Sequence, residues 1–384
     1  SKYLIIILMI LYSFQCFTIF RKHYEEDKRH VLRKQIVLML FMNFVAYAVL
    51  YLQTEDTNMI LMYLAVLVFI VLVQILYRVI YRKANMLVVN NMCMLLSIGF
   101  LMLSRLQFDR AVKQFAIASA AMLLSLIVPV IVRKVKHLKD LTWLYGIAGL
   151  LMLVAVLGLA AVTGGAKLSI EIGDFTFQFS ELVKIIFVFF VAGMLREDTS
   201  FRQVVITTAV AGAHVVILVL SRDLGSALVF FIAYLVMLYV ATRQPLYALA
   251  GIAAGCGASV LAYFLFNHVR QRVVAWQDPI AVYNESGGGY QVAQAVFGIS
   301  AGGWFGMGLG EGSPNTIPVV DQDFIFAAIC EELGSVFAVC MLLVCMSMFL
   351  MIVNISMKMS KPFYKLIALG LGAEYAFQVF LTVG

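Results

Sequence analysis

Stretches of about twenty apolar residues, the length that crosses the hydrocarbon core of a bilayer, recur from one end of this chain to the other. They cover residues 4–20, 35–51, 58–77, 86–103, 115–132, 141–162, 182–195, 204–220, 224–240, 246–266, 324–353 and 366–384, twelve in all. In lipid every backbone N–H and C=O must find its partner inside the protein, and segments of this length do so as helices. Composition agrees: 63% of the 384 residues are hydrophobic and 13% charged, against about 45–50% and about 25% in soluble domains. The expected fold is therefore all-α, a polytopic transmembrane helical bundle with a large extracellular loop between the tenth and eleventh spans.

The charges are placed unevenly. Most Lys and Arg fall in alternate connections: Arg21, Lys22, Lys28, Arg29, Arg33 and Lys34; Arg78, Arg82 and Lys83; Arg133, Lys134, Lys136 and Lys139; Arg196 and Arg202; Arg243; and Lys358, Lys361 and Lys365. This distribution accounts for the net charge of +7 without nucleic acid. By the positive-inside rule these loops face the cytoplasm. The N-terminus and the stretch 286–332 then face outward. The first apolar segment has no basic leader and no A-x-A-like site, so no cleavable signal peptide is expected.

The connection 267–322 is by far the longest, and connections beyond about 12–15 residues are commonly functional when they are not disordered. Its aromatic and amphipathic content favours order, with 289–299 expected as a short helix at the interface. The run GISAGGWFGMGLGEG lacks the G-x-x-x-x-G-K-[ST] spacing of a nucleotide-cradling loop and follows no strand. Its glycines suit tight turns and close backbone approach. The loop ends in Asp321-Gln322-Asp323 and enters an apolar segment carrying Glu331 and Glu332. Asp323 thus sits where loop meets membrane. Partly buried there, a carboxylate would have a raised pKa suited to a general base. Asp321 or Asp323 could equally cap the helix that follows, and both readings stand at this point.

Other ionisable residues at span edges are candidates by default. Glu181 and Lys184 are three apart and share a helix face, either as a self-neutralising pair or as a substrate contact. Asp223 is placed to cap the ninth span. Arg270 and Arg272 suit headgroup anchoring or a clamp on phosphate oxygens. Glu374 lies inside the last apolar segment with no partner near it in sequence. Cys16, Cys93, Cys256, Cys330, Cys340 and Cys345 read as small core residues, and the five histidines show no zinc spacing, so no protein-caged metal is expected.

Six motifs occur in one order: IGDFTFQFSELVK at 172–184, RDLGSAL at 222–228, VRQRV at 269–273, GGYQVAQ at 288–294, SAGGWFGMGLG at 300–310 and DFIFAAICEELG at 323–334. Together they closely resemble the SEDS proteins, the RodA/FtsW/SpoVE family. The resemblance covers roughly residues 86–384 and leaves 1–85 as an N-terminal extension of three transmembrane helices.

The resemblance implies a peptidoglycan glycosyltransferase that polymerises lipid II, an undecaprenyl-pyrophosphate-linked disaccharide peptide, at the outer face of the bacterial cytoplasmic membrane with a class B penicillin-binding protein. It places the essential acidic residue at Asp323, which would take the proton of the acceptor sugar's 4-hydroxyl. Glu181, Lys184, Arg270, Arg272, Gln294 and Lys167 are the implied substrate-binding residues, the cations facing the pyrophosphate leaving group. A divalent cation, Mg2+ or Mn2+, is a further implied cofactor, with Asp323 or Glu331 in reach. The chain departs from the family pattern in four places. Lys167-Leu168-Ser169 stands where Arg-Trp is usual, Phe179 replaces a Pro, Asp321-Gln322 replaces His-Thr, and the chain ends before the family's last helix. A second carboxylate at Asp321 would raise the pKa of Asp323 by like-charge repulsion. The rival readings are a lipid II flippase and a catalytically weak scaffold for a penicillin-binding protein. The first is disfavoured because the polar candidates gather at the outer face, away from the midplane, and no internal repeat is evident.

Overall fold

The computed structural model describes residues 2–159, 162–163, 166–167, 170–172, 175–284 and 289–383; side chains at 136, 159 and 162–177 lie outside the described part. Fourteen helices are described: α1 (Lys2–Arg21), α2 (Glu25–Thr54), α3 (Thr57–Ile80), α4 (Met86–Leu106), α5 (Phe108–Lys134), α6 (Thr142–Leu159), α7 (Phe179–Leu195), α8 (Phe201–Leu220), α9 (Leu224–Thr242), α10 (Pro245–Leu265), α11 (Asn267–Gln277), α12 (Gly289–Gly302), α13 (Ile325–Met357) and α14 (Pro362–Val383). Ten of them are long and apolar enough to cross a membrane. With α6 and the 17-residue α7, they follow the twelve apolar stretches in order.

The remaining two, α11 and α12, occupy the long connection, and α12 contains the expected 289–299 helix. Charged residues extend some helices past their apolar parts. α2 begins ten residues before its apolar stretch, with Glu25, Glu26 and Asp27 in its first turn, where acidic groups complement the exposed N–H groups. One local departure from all-α sits between α6 and α7. There β1 (Val162–Thr163) pairs with β2 (Ala166–Lys167) and β3 (Ile170–Ile172) with β4 (Phe175–Phe177), two short antiparallel ladders.

The described chain forms two compact units, 1–131 with 271–351 and 132–270 with 352–384. In the first, α1–α4 pack on one another and bury a polar seam. The Tyr12 hydroxyl donates to Asn91 Oδ1 at 3.1 Å, Asn90 Nδ2 to Gln35 Oε1 at 2.9 Å, Gln74 Nε2 to Asn90 Oδ1 at 2.8 Å, and Asn91 Nδ2 to Ser347 Oγ of α13 at 2.8 Å. Amides buried away from water are costly unless paired. The seam therefore ties the extension and α4 together.

Among the described residues, the core of the second unit is mainly aromatic and aliphatic. Phe187, Phe190 and Phe230 are fully buried among Val183, Val191, Met237 and Leu238. Phe187 and Phe230 lie 4.7 Å apart, ring to ring. α14 packs against α7 and α9. The Asp223 carboxylate caps α9 by accepting from Ser226 N at 3.1 Å, as its spacing predicts.

Candidate active site

The Gly-rich loop of the first unit is built around a break in α13. Gly334 (φ 88°, ψ 161°) leaves the helical region and so strips hydrogen-bond partners from the residues on either side. The loop supplies replacements. Met307 N donates to Glu331 O at 2.8 Å and Gly308 N to Glu332 O at 2.9 Å, while Ser335 N donates to Gly303 O at 3.0 Å and Val336 N to Trp304 O at 3.1 Å. Backbone that is neither helix nor sheet survives at membrane depth only when it is paired in this manner.

Two glycines make the approach possible. A Cβ at Gly302 would lie 2.1 Å from Cys330 O, and one at Gly306, itself at φ +72°, 2.3 Å from Glu332 O. No larger residue fits either place without moving backbone. The sequence reading of these glycines as close-approach points holds, and the partner they approach is the broken helix.

Both glutamates of α13 hold this loop. Glu332 is fully buried. Its Oε1 accepts from Arg105 Nε at 3.1 Å and its Oε2 from Gly310 N at 3.1 Å, while Arg105 also donates to Gly310 O and Gly312 O. Glu331 Oε1 accepts from Ser313 N at 2.7 Å. These donors give the buried carboxylate oxygens the hydrogen bonds that water cannot supply there. Arg105 carried no signal in the sequence beyond lying at a helix end, because its partner is 227 positions away.

Past the clamp, buried Ile317 and Val320 lead the chain on to the two aspartates. There Asp321 pairs with Arg110 of α5. Asp323, two residues on, is exposed and makes no hydrogen bond or ion pair with any described residue. This corrects three expectations. Neither aspartate caps α13, since Asp321 is taken by Arg110 and Asp323 accepts nothing. Asp323 is not partly buried. And the charge of Asp321 is offset by a guanidinium instead of bearing on Asp323 alone.

The remaining candidates are distributed. In the second unit Lys184, almost fully buried, reaches Glu181 Oε1 at 2.7 Å and Gln378 Oε1 of α14 at 3.1 Å. The predicted pair thus forms, with Gln378 as a third member that sequence spacing hides. Glu374, also on α14, is buried and its Oε1 has no hydrogen bond; it acts electrostatically on Lys184 and Glu181.

Arg270 and Arg272 are both exposed on α11. Two residues apart on a helix, they point to different sides, so they do not form one clamp on one phosphate. Gln294 of α12 donates to the Tyr283 hydroxyl at 2.9 Å, which packs on Tyr290. Lys167 stands in β2, paired through its backbone with Val162, and its side chain is outside the described part, as are Gly165, Leu168 and Ser169 of the altered loop. Among the described residues no three acidic, His or Cys side chains converge to hold a metal ion.

The break in α13, bracketed by the Gly-rich loop and ending at an unpaired aspartate, is carried by residues 300–334, inside a sequence pattern shared with known proteins. The FtsW/RodA/SpoVE family, described as cell cycle protein, matches residues 85–384. The chain belongs to this family. It is 33% identical over 261 residues to the peptidoglycan glycosyltransferase RodA of Mycobacterium tuberculosis, covering 63% of this chain and 55% of that protein. The chain spans about half the length of the RodA relatives it matches. Its fold is similar to a chain of a peptidoglycan synthase complex studied for coordination of polymerization and crosslinking (TM-score 0.63, 20% identity, 79% of this chain and 88% of that one). A RodA from Thermus thermophilus is similar at TM-score 0.55 and 20% identity, over 78% of this chain and 84% of that one. A family member with this many apolar helices is a multi-pass protein of the bacterial membrane. α1–α3 precede the matched region.

Proposed function

We propose that the protein is a peptidoglycan glycosyltransferase that polymerises lipid II, with Asp323 as general base. The observation that carries this reading is the contrast along one segment: Glu331, Glu332 and Asp321 are each engaged by a donor or a cation, whereas Asp323 is exposed and unengaged. A base needs a lone pair that no protein donor occupies, within reach of the proton it removes. Asp323 would accept the proton of the acceptor's 4-hydroxyl as that oxygen bonds to the donor's anomeric carbon. Undecaprenyl pyrophosphate then departs with the electron pair of the broken bond. The relatives named as peptidoglycan glycosyltransferases support the reaction class.

The leaving pyrophosphate calls for fixed positive charge. Lys184, oriented by Glu181 and Gln378, is the proposed contact, with Arg270 or Arg272 acting singly, Gln294 contacting the sugar and Lys167 as a supplementary charge. A bound Mg2+ or Mn2+ would add Lewis acidity at the phosphates. Such ions commonly use one or two carboxylates plus substrate phosphates. Asp323 is the carboxylate open to one, and no cage of protein donors is present among the described residues.

Lys2, Gln53 and Arg110 all reach the 306–321 segment. This puts the start of α1, the end of α2 and the start of α5 on its side of the membrane. With the Lys- and Arg-rich loops at the opposite ends, the site is proposed to face outward. A class B penicillin-binding protein is the proposed partner, in keeping with the synthase complex this fold resembles. The test is purified protein given lipid II in detergent. Glycan polymer that disappears with Asp323→Asn is the expected result. Polymer formed at the unchanged rate by that variant, or lipid II flipping in vesicles without any polymer, overturns the reading.

A further inference from the structure

Residues before position 85 lie outside the region that matches the family, yet they touch the Gly-rich loop directly. Lys2 Nζ donates to Gly306 O at 3.0 Å. The Tyr3 ring meets the Phe305 ring edge to face at 5.9 Å. From the end of α2, Gln53 Nε2 donates to Glu311 Oε1 at 2.9 Å, and the Gln53 amide lies so close to Gly310 (φ +83°) that a Cβ there would come within 2.0 Å of Gln53 Oε1. The loop is therefore held from two directions: by Arg105, Glu331 and Glu332 on one side and by the ends of α1 and α2 on the other.

A brace needs a rigid mount. The buried seam of Tyr12, Gln35, Asn90 and Asn91 provides it, since this buried hydroxyl and these buried amides would be left unpaired if the extension shifted against α4. The extension's outer ends are accordingly fixed in position relative to the loop. Beyond the braced part, buried Ile317 and Val320 carry the same chain on to Asp323. Exposed contacts at helix ends contribute little to overall stability. What they can do is restrict which of several loop arrangements is occupied.

We propose that α1 and α2 are a built-in brace for the Gly-rich loop, with Lys2, Tyr3 and Gln53 as positioning residues that hold the segment bearing Asp323 in its working place. The proposal rests on the reading of Asp323 as the general base. It predicts an effect on turnover and not on substrate affinity, because the three residues touch protein and not the reacting sugars.

The experiment compares steady-state polymerisation of lipid II by the full chain and by Gln53→Glu, Glu311→Gln, the double variant, Lys2→Ala and Asp323→Asn, with thermal midpoints measured alongside. Gln53→Glu sets two carboxylates against each other at the loop. kcat should fall on the order of tenfold, since small misplacements of a catalytic group are costly, with KM and the midpoint nearly unchanged. The double variant restores a hydrogen bond with donor and acceptor exchanged and should recover most of the lost kcat. Lys2→Ala should lower kcat by a smaller factor. Wild-type kcat in both Gln53→Glu and Lys2→Ala while Asp323→Asn is inactive overturns the brace and leaves the base in place. Failure of the double variant to recover activity also overturns it. Activity in Asp323→Asn instead overturns the base assignment, so the two failures are distinguishable. Should Gln53→Glu not fold, Lys2→Ala and Gln53→Ala, which only delete a bond, decide the question by the same kcat criterion.

Discussion

Two parts of one segment treat their carboxylates in opposite ways. At the break in α13, Glu332 is fully buried and accepts from Arg105 and Gly310, while Glu331 accepts from Ser313. Just before α13, Asp323 is exposed and accepts from no described residue. The first arrangement converts negative charge into loop geometry. The second leaves a lone pair available. The difference shows that acidic residues eight or nine positions apart can be engaged or left open depending on whether the chain provides donors, and the donors come from Arg105 and the Gly-rich loop.

The largest expected effect comes from removing the clamp. Glu332→Ala removes the acceptor of Arg105 Nε and of Gly310 N, leaving Arg105, whose side chain is 20% exposed, with only the carbonyls of Gly310 and Gly312 and no counter-charge. Breaking a buried ion pair in this way costs about 3–5 kcal/mol. The variant should fail to give a single species on size exclusion in detergent, with a strongly lowered thermal midpoint; an unchanged midpoint would show that the loop stands without the clamp.

Asp323→Asn should do the reverse, keeping stability within about 0.5 kcal/mol while lowering polymerisation by about 10²–10⁴-fold, the range for a general base. Thermal unfolding and polymer assays on one preparation test both halves. Lys184→Ala should lower activity by about 10–100-fold, the worth of a hydrogen bond to a charged group, and by more than Lys167→Ala. The opposite order, read from the same assay, would move the pyrophosphate contact to the loop before α7. The smallest effect is expected at Arg110→Ala. Its pair with Asp321 is partly exposed and should be worth no more than about 1 kcal/mol, seen as a slight fall in thermal midpoint.

Some of this was open to reading without coordinates because it depends on near neighbours. The helices follow from runs of apolar residues, the cap at Asp223 from its spacing to Ser226, and the Glu181–Lys184 pair from a separation of three. Three features resisted. The N-cap reading of Asp321 lost to an Arg110 more than two hundred positions away in sequence, while Asp323 accepts from no described residue. Arg270 and Arg272 looked like a clamp in linear order but point to different sides once α11 is a helix. Gln378 gave no hint of its contact with Lys184, because that contact forms only when α14 packs on α7.

Residue order alone decides that this chain lives in a bilayer, where its apolar spans fall along the chain, and which family pattern it carries, since each depends on hydrophobic length or on a local string of residues. Which acidic groups are spent and which is spare depends on contacts between segments far apart in the chain. A buried carboxylate persists only where distant donors arrive at it, and their arrival is a property of packing.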